Sequence, residues 1–176
     1  MAEGPDRRLS KEGRTVFEMA RKLAADVAAL ERRAGGPPPE TFPRYKEVRA
    51  TYIEIVGLTF SVQERVPRVA AEAPKDFGQW VVRVKLRALA AFTTISLAFL
   101  ENPPVAITQA IGAHDVLVAE QKNFTEVLGT FDEMLFEAGI DDRMADALDA
   151  TRTGIERILE RLVELLAHSP EALPEF

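Results

Sequence analysis

Two histidines, His114 and His168, are the only imidazoles in a 176-residue chain that has no cysteine. Without a thiol, disulfides, thiolate zinc sites and cysteine nucleophiles are excluded. His168 closes a helical pattern, where the negative end of the helix dipole favours an imidazolium, so it needs no catalytic explanation. His114 follows an apolar helix and a proline corner, and Phe124 and Val127 lie beyond it. The acidic residues read as helix furniture: Asp132-Glu133 and Glu137 as a solvated face, Asp141-Asp142 as a helix start at the positive end of a dipole. Thr93, Thr94 and Ser96 sit inside the apolar helix and are expected to bond back to carbonyls one turn earlier, with a polar pocket as the lesser reading. The Glu-x-x-His pair of di-iron bundles is missing, and Gly13, Gly35-Gly36 and Gly112 do not form a phosphate-cradling loop between a strand and a helix. Trp80, with Phe77 nearby, reads as helix-junction packing, with gating of a pocket as the alternative. Catalysis needs convergent polar groups, which this pattern does not supply, so an enzyme ranks behind a binding or regulatory module.

The elements that must position these residues are helices. The run Ala88 to Leu100 carries no charge and is too short for a membrane span, which needs roughly 18 to 20 apolar residues. A helix apolar on every side has to be enclosed, so this third helix marks the centre of the molecule. Ser10 is placed to cap a first helix reaching Arg33, with a stripe of Val16, Ala20, Leu23, Val27 and Leu30 at spacings of four and three. Gly35-Gly36 and three prolines then break the chain. A second helix runs from about Thr41 to Val66, striped by Tyr45, Val48, Tyr52, Ile55 and Val62, with Ile53, Val56 and Phe60 as a second apolar side that predicts deeper burial than the first. Asp76 and Gln79 have the spacing of a capping box for the third helix. Asn102-Pro103 predicts an immediate fourth helical region reaching Ala138, with a corner near Val116 to Gln121, where the apolar pattern weakens, and Gly139 as its stop. A last helix from Asp141 or Asp142 to His168 has Met144, Leu148, Ile155, Ile158, Leu162 and Leu165 on one seam. The fold class is all-α, a bundle of four to five long helices around the central apolar one, with a globin-like helical fold as the alternative.

The C-terminal half resembles the bacterial globins. Leu100-Glu101-Asn102-Pro103-Pro104 is similar to the approach to the globin F helix, Ile111-Gly112-Ala113-His114 to its end, and Phe124-Thr125-Glu126-Val127 to the start of G. Glu133 to Asp142 resembles the G-to-H corner and Ala145 onward the H helix. The resemblance implies His114 as a proximal haem-iron ligand, Phe92, Phe99, Phe124 and Val127 as pocket walls, and Arg83, Arg87 or Lys122 near the propionates.

Three segments are expected: an N-terminal helical arm over 1–33, a Gly/Pro linker over 34–43 and a helical core over 44–176. The leading function is a non-catalytic interaction or regulatory module without a cofactor, self-associating as a homodimer or docking a protein partner through the seam Val16, Leu23, Val27 and Leu30. The alternative is a globin-like sensor holding a hydrophobic ligand, haem being the one His114 would ligate. A net charge of −6 disfavours nucleic acid as a partner. The first eight residues lack the apolar region of a secretory signal, which points to a cytoplasmic protein.

Overall fold

The computed structural model describes residues 9–104, 107, 112–139 and 142–169, with no side-chain description for 142–144. The first eight residues, Ile111, the Met144 side chain and the tail from Pro170 lie outside that set. Five α-helices account for most of the rest: α1 (Lys11–Ala34), α2 (Phe42–Gln63), α3 (Phe77–Glu101), α4 (Ala113–Ala138) and α5 (Asp142–Ala167). A 3-10 turn at Val66–Val69 joins α2 to α3, and no strand occurs among the described residues. The all-α bundle expected from the periodicity is the fold.

Helix α3 is the hub, packing against all four other helices, with α1 and α2 paired beside it and α4 and α5 paired likewise. Phe92, Ile95 and Phe99 are buried at 0%, 4% and 1% exposure, as its lack of a polar side demands. One strip of α3 nevertheless stays open. Arg87, Thr94 and Glu101 are exposed, and with the half-buried Ala90, Leu97 and Ala98 they floor a groove of about 450 Å³ that also touches α1 and α5. Small side chains make that exposure inexpensive, since little apolar area per residue is left in water.

The outer helices bury strict four-three seams, the spacing that keeps one helix edge facing its neighbours along its whole length. In α1 the buried residues are Gly13, Val16, Ala20, Leu23, Val27 and Leu30, and in α2 Phe42, Tyr45, Val48, Tyr52, Ile55, Thr59 and Val62. In α5, among the side chains described, they are Leu148, Thr151, Gly154, Ile155, Ile158, Leu162 and Leu165. Ser10 caps α1 by accepting from the Gly13 amide at 2.9 Å, while its own amide donates to Glu72 at the same distance. Those bonds lower the Glu72 pKa, its side-chain contact with Ser10 contributing most. They tie the start of α1 to the turn before α3.

Several expected boundaries move. Asp76 makes no side-chain cap on α3 and instead receives Arg83, so the capping box does not form. Asn102 closes α3, and α4 begins at Ala113, behind Gly112 in the left-handed region at φ 73°. The expected corner near Val116 to Gln121 is absent, and α4 is one uninterrupted helix. The seam continues through that stretch as Ala113, Leu117, Glu120, Phe124, Val127, Phe131, Met134 and Ala138, with a carboxylate where the apolar pattern faded. Gly139, at φ 60°, ends α4 where expected, and α5 follows at Asp142.

Within the segment expected as an arm, α1 packs as an integral helix of the bundle. Leu23, Val27 and Leu30 belong to the same continuous core as α2, α3, α4 and α5, whatever freedom the triple proline leaves to the connection. The second apolar side expected to bury α2 more deeply stays outside at Ile53 and Phe60, which are 49% and 61% exposed.

Candidate functional site

The residues assigned to a ligand pocket come together, but around one another. Phe92 stacks on Tyr52 at a centroid distance of 4.2 Å and on Phe124 at 5.6 Å, while Phe99 stacks on Tyr45 at 4.4 Å. These rings are nearly parallel and fully buried, so each supplies the other's packing surface. Val127 lies half-buried at the edge of the same core. A porphyrin would have to separate rings that already fill the interior. His114 is half-buried in the first turn of α4, and its Nδ1 is buried with no hydrogen-bond partner among the described residues. It shares one straight run with Phe124, about 15 Å further along the axis, rather than ending one helix as Phe124 opens the next. His114 and the four apolar residues therefore do not fit around haem in this packing. Among the described residues, no cluster of three or more His, Cys, Asp or Glu side chains could hold a metal ion.

The interior does contain a polar site, at Glu120. Its side chain is 1% exposed in the α4 seam, and Arg49, on α2, donates its Nε hydrogen to Oε1. Oε2 is buried with no hydrogen-bond partner among the described residues. Burial drives the Glu120 pKa up to about 7, against the opposing pull of the Arg49 guanidinium and the Asn123 side chain. The same burial, aided by the Glu120 charge, pushes Tyr45 and Tyr52 above the ordinary phenol range. Tyr45 and Ser96 meet at 3.1 Å between hydroxyls. Of the three hydroxyls of α3, only Thr94 follows the expected bond to the carbonyl one turn earlier, at 3.0 Å to Ala90. Thr93 Oγ1 has no partner and its methyl faces α5, where a Cβ added to Gly154 would lie 2.8 Å from Thr93 Cγ2.

This cluster is enclosed, with Glu120, Tyr45 and Tyr52 at most 3% exposed. The surface grooves lie elsewhere: one over α3 between α1 and α5, one between α4 and α5 at Val118, Leu159 and Val163, and one of about 310 Å³ beside Phe17, Phe77 and Trp80. Trp80 stacks on Phe77 at 5.6 Å, the junction packing expected of it, and also borders the last groove. Arg87 is held by Glu31 through two hydrogen bonds, and Lys122 lies 3.9 Å from Glu126 on the exposed side of α4. His168 Nδ1 donates to the Glu164 carbonyl at 2.8 Å, a helix-end contact.

The seam proposed for a partner, Val16, Leu23, Val27 and Leu30, is at most 2% exposed within the chain's own bundle. That corrects the docking surface, because its apolar area is already spent on α2 and α3. What remains outside is the opposite side of α2, where Ala50, Ile53, Gly57 and Phe60 are exposed in four-three register and a Cβ on Gly57 would meet nothing within 4 Å. The other exposed apolar residues are scattered: Phe136 stands among Asp132, Glu133 and Glu137, and Val118 and Val163 flank a charged groove. None of the helices among the described residues is long and apolar enough to cross a membrane. No family model, curated protein or solved structure matches the chain.

Proposed function

We propose that the protein is a non-catalytic helical interaction module whose docking surface is the outer face of α2. One observation carries the reading: Ile53 and Phe60 are 49% and 61% exposed and lie two helical turns apart on one edge, with Ala50 and Gly57 completing the strip. An apolar edge in regular register is what an amphipathic partner helix recognises. The remaining seams are consumed by the core, so α2 is the helix with two apolar edges and one set of intramolecular neighbours. The buried groups with displaced pKa, Glu120, Tyr45 and Tyr52, are enclosed among aromatic rings and border none of the grooves described above, which favours binding over catalysis.

The test is photocrosslinking in the protein's native cells, with a photoreactive residue replacing the exposed Ala50. A discrete adduct that disappears when Phe60→Asp is added supports the reading. An adduct indifferent to Phe60→Asp, or none when a reporter at exposed Arg21 behaves identically, overturns it.

A further inference from the structure

The outer strip of α2 is longer than its apolar centre. Continued at the same spacing it reads Lys46, Ala50, Ile53, Gly57, Phe60, Glu64, and all six residues are exposed. The order is self-complementary. If two copies of α2 lie antiparallel about a twofold axis at the level of Ile55, Lys46 of each meets Glu64 of the other, Ala50 meets Phe60, and Ile53 meets Gly57. Large faces small in both apolar layers, and opposite charges face each other at both ends. Such layers, one residue from each register position of either helix, are how antiparallel helices pair along a four-three seam, and the same patch on both partners is what a closed twofold dimer requires.

We propose that this surface binds a second copy of the chain, α2 against α2, antiparallel and twofold. The proposal rests on the reading of α2 as the docking face and names its occupant. Charge supports it: neither Lys46 nor Glu64 has an ion-pair partner among the described residues, and Lys46 lies over the Phe42 ring at the open end of the strip. Gly57 supports it as well, because a bare backbone with empty space above it is a seat for Ile53 of the facing helix. The strip spans about 27 Å at 1.5 Å per residue, so the contact is at the small end of specific interfaces and the dimer is reversible. Glu54 flanks the strip on the side facing Lys22, itself paired with Asp26, and across the axis the two Glu54 carboxylates approach each other. That repulsion limits the affinity.

Sedimentation equilibrium of the purified full chain tests this over a wide concentration range. The wild type is expected to show a reversible monomer–dimer equilibrium, and Phe60→Asp a folded monomer. Lys46→Glu and Glu64→Lys each occur twice in the twofold interface, so each weakens dimerisation about tenfold, and the double exchange restores it. Glu54→Gln tightens it. A wild type that stays monomeric, a dimer unaffected by Phe60→Asp, or a double exchange that fails to recover association overturns the proposal. A monomeric chain that still gives the Phe60-dependent adduct at position 50 in cells overturns self-pairing alone; loss of both removes the docking reading with it.

Discussion

The residue with most at stake is Glu120. Its folded pKa of about 7 lies above the ordinary value near 4.5, so the folded state holds its proton more tightly than the unfolded chain. The stabilisation is fully present below about pH 4.5 and is lost as pH rises through about 7, a swing of roughly 3 kcal/mol. Urea unfolding from about pH 5 to pH 8 is expected to show this decline, and Glu120→Gln to flatten it; an unchanged slope in the variant assigns the pH dependence elsewhere. Gly154 gives a steric counterpart. Gly154→Ala brings a methyl against Thr93 and is expected to cost about 1–3 kcal/mol in chemical denaturation, whereas Gly57→Ala, facing open space, stabilises α2 by roughly 0.5–1 kcal/mol in the monomer.

At the scale of the element, each outer helix obeys one rule and α4 breaks it once. Replacing the Arg49–Glu120 pair by Met and Leu completes the apolar seam and is expected to leave stability unchanged or raise it by about 1–4 kcal/mol, while Arg49→Met alone strands the carboxylate and costs about 3–5 kcal/mol. A double variant less stable than either single one would contradict the seam assignment. Sequence periodicity made the seams of α1, α2 and α5 legible, because each carries apolar residues at nearly every inward position. It hid α4 between Ala113 and Lys122 because one inward residue is ionisable; extending Phe124 and Val127 backward by the same spacing lands on Glu120, Leu117 and Ala113. Arg49 was invisible for another reason: its partner is 71 positions away, and no local pattern announces a pairing across helices. Asn102 and Asp76 looked like caps by residue type, but cap bonds depend on backbone angles that type alone does not fix. The outer edge of α2 is apolar in type, yet Ile53 and Phe60 on it are exposed. The helix has apolar residues on two sides but packing neighbours on one.

For the whole molecule, the central placement of α3 followed from its uncharged run, and what followed less well was the membership of α1. A triple proline reads as a hinge, yet the seam beyond it is sealed into the common core. Hydrogen exchange is expected to find the amides of Leu23 and Val27 protected to the same extent as those of Phe92 and Ile95, as members of one cooperative unit; α1 amides exchanging orders of magnitude faster would restore the hinged arm. In the aromatic interior Phe92 lies between Tyr52 and Phe124, so the rings expected as pocket walls pack on one another. Phe92→Ala opens that stack and is expected to destabilise by about 3–5 kcal/mol. Among the described residues, Ile53 and Phe60 are the exposed large apolar side chains that lie two turns apart on one helix edge, while the groove at Phe17, Phe77 and Trp80 is lined by buried or half-buried rings.

Phe60→Asp examines that edge most directly, with thermal stability and association measured on the same samples. The structure predicts a melting temperature within a few degrees of wild type, since a 61% exposed side chain contributes little to the core, together with loss of association. A large drop in melting temperature with association intact would mean that Phe60 belongs to the fold and that the outer face of α2 is not a docking surface.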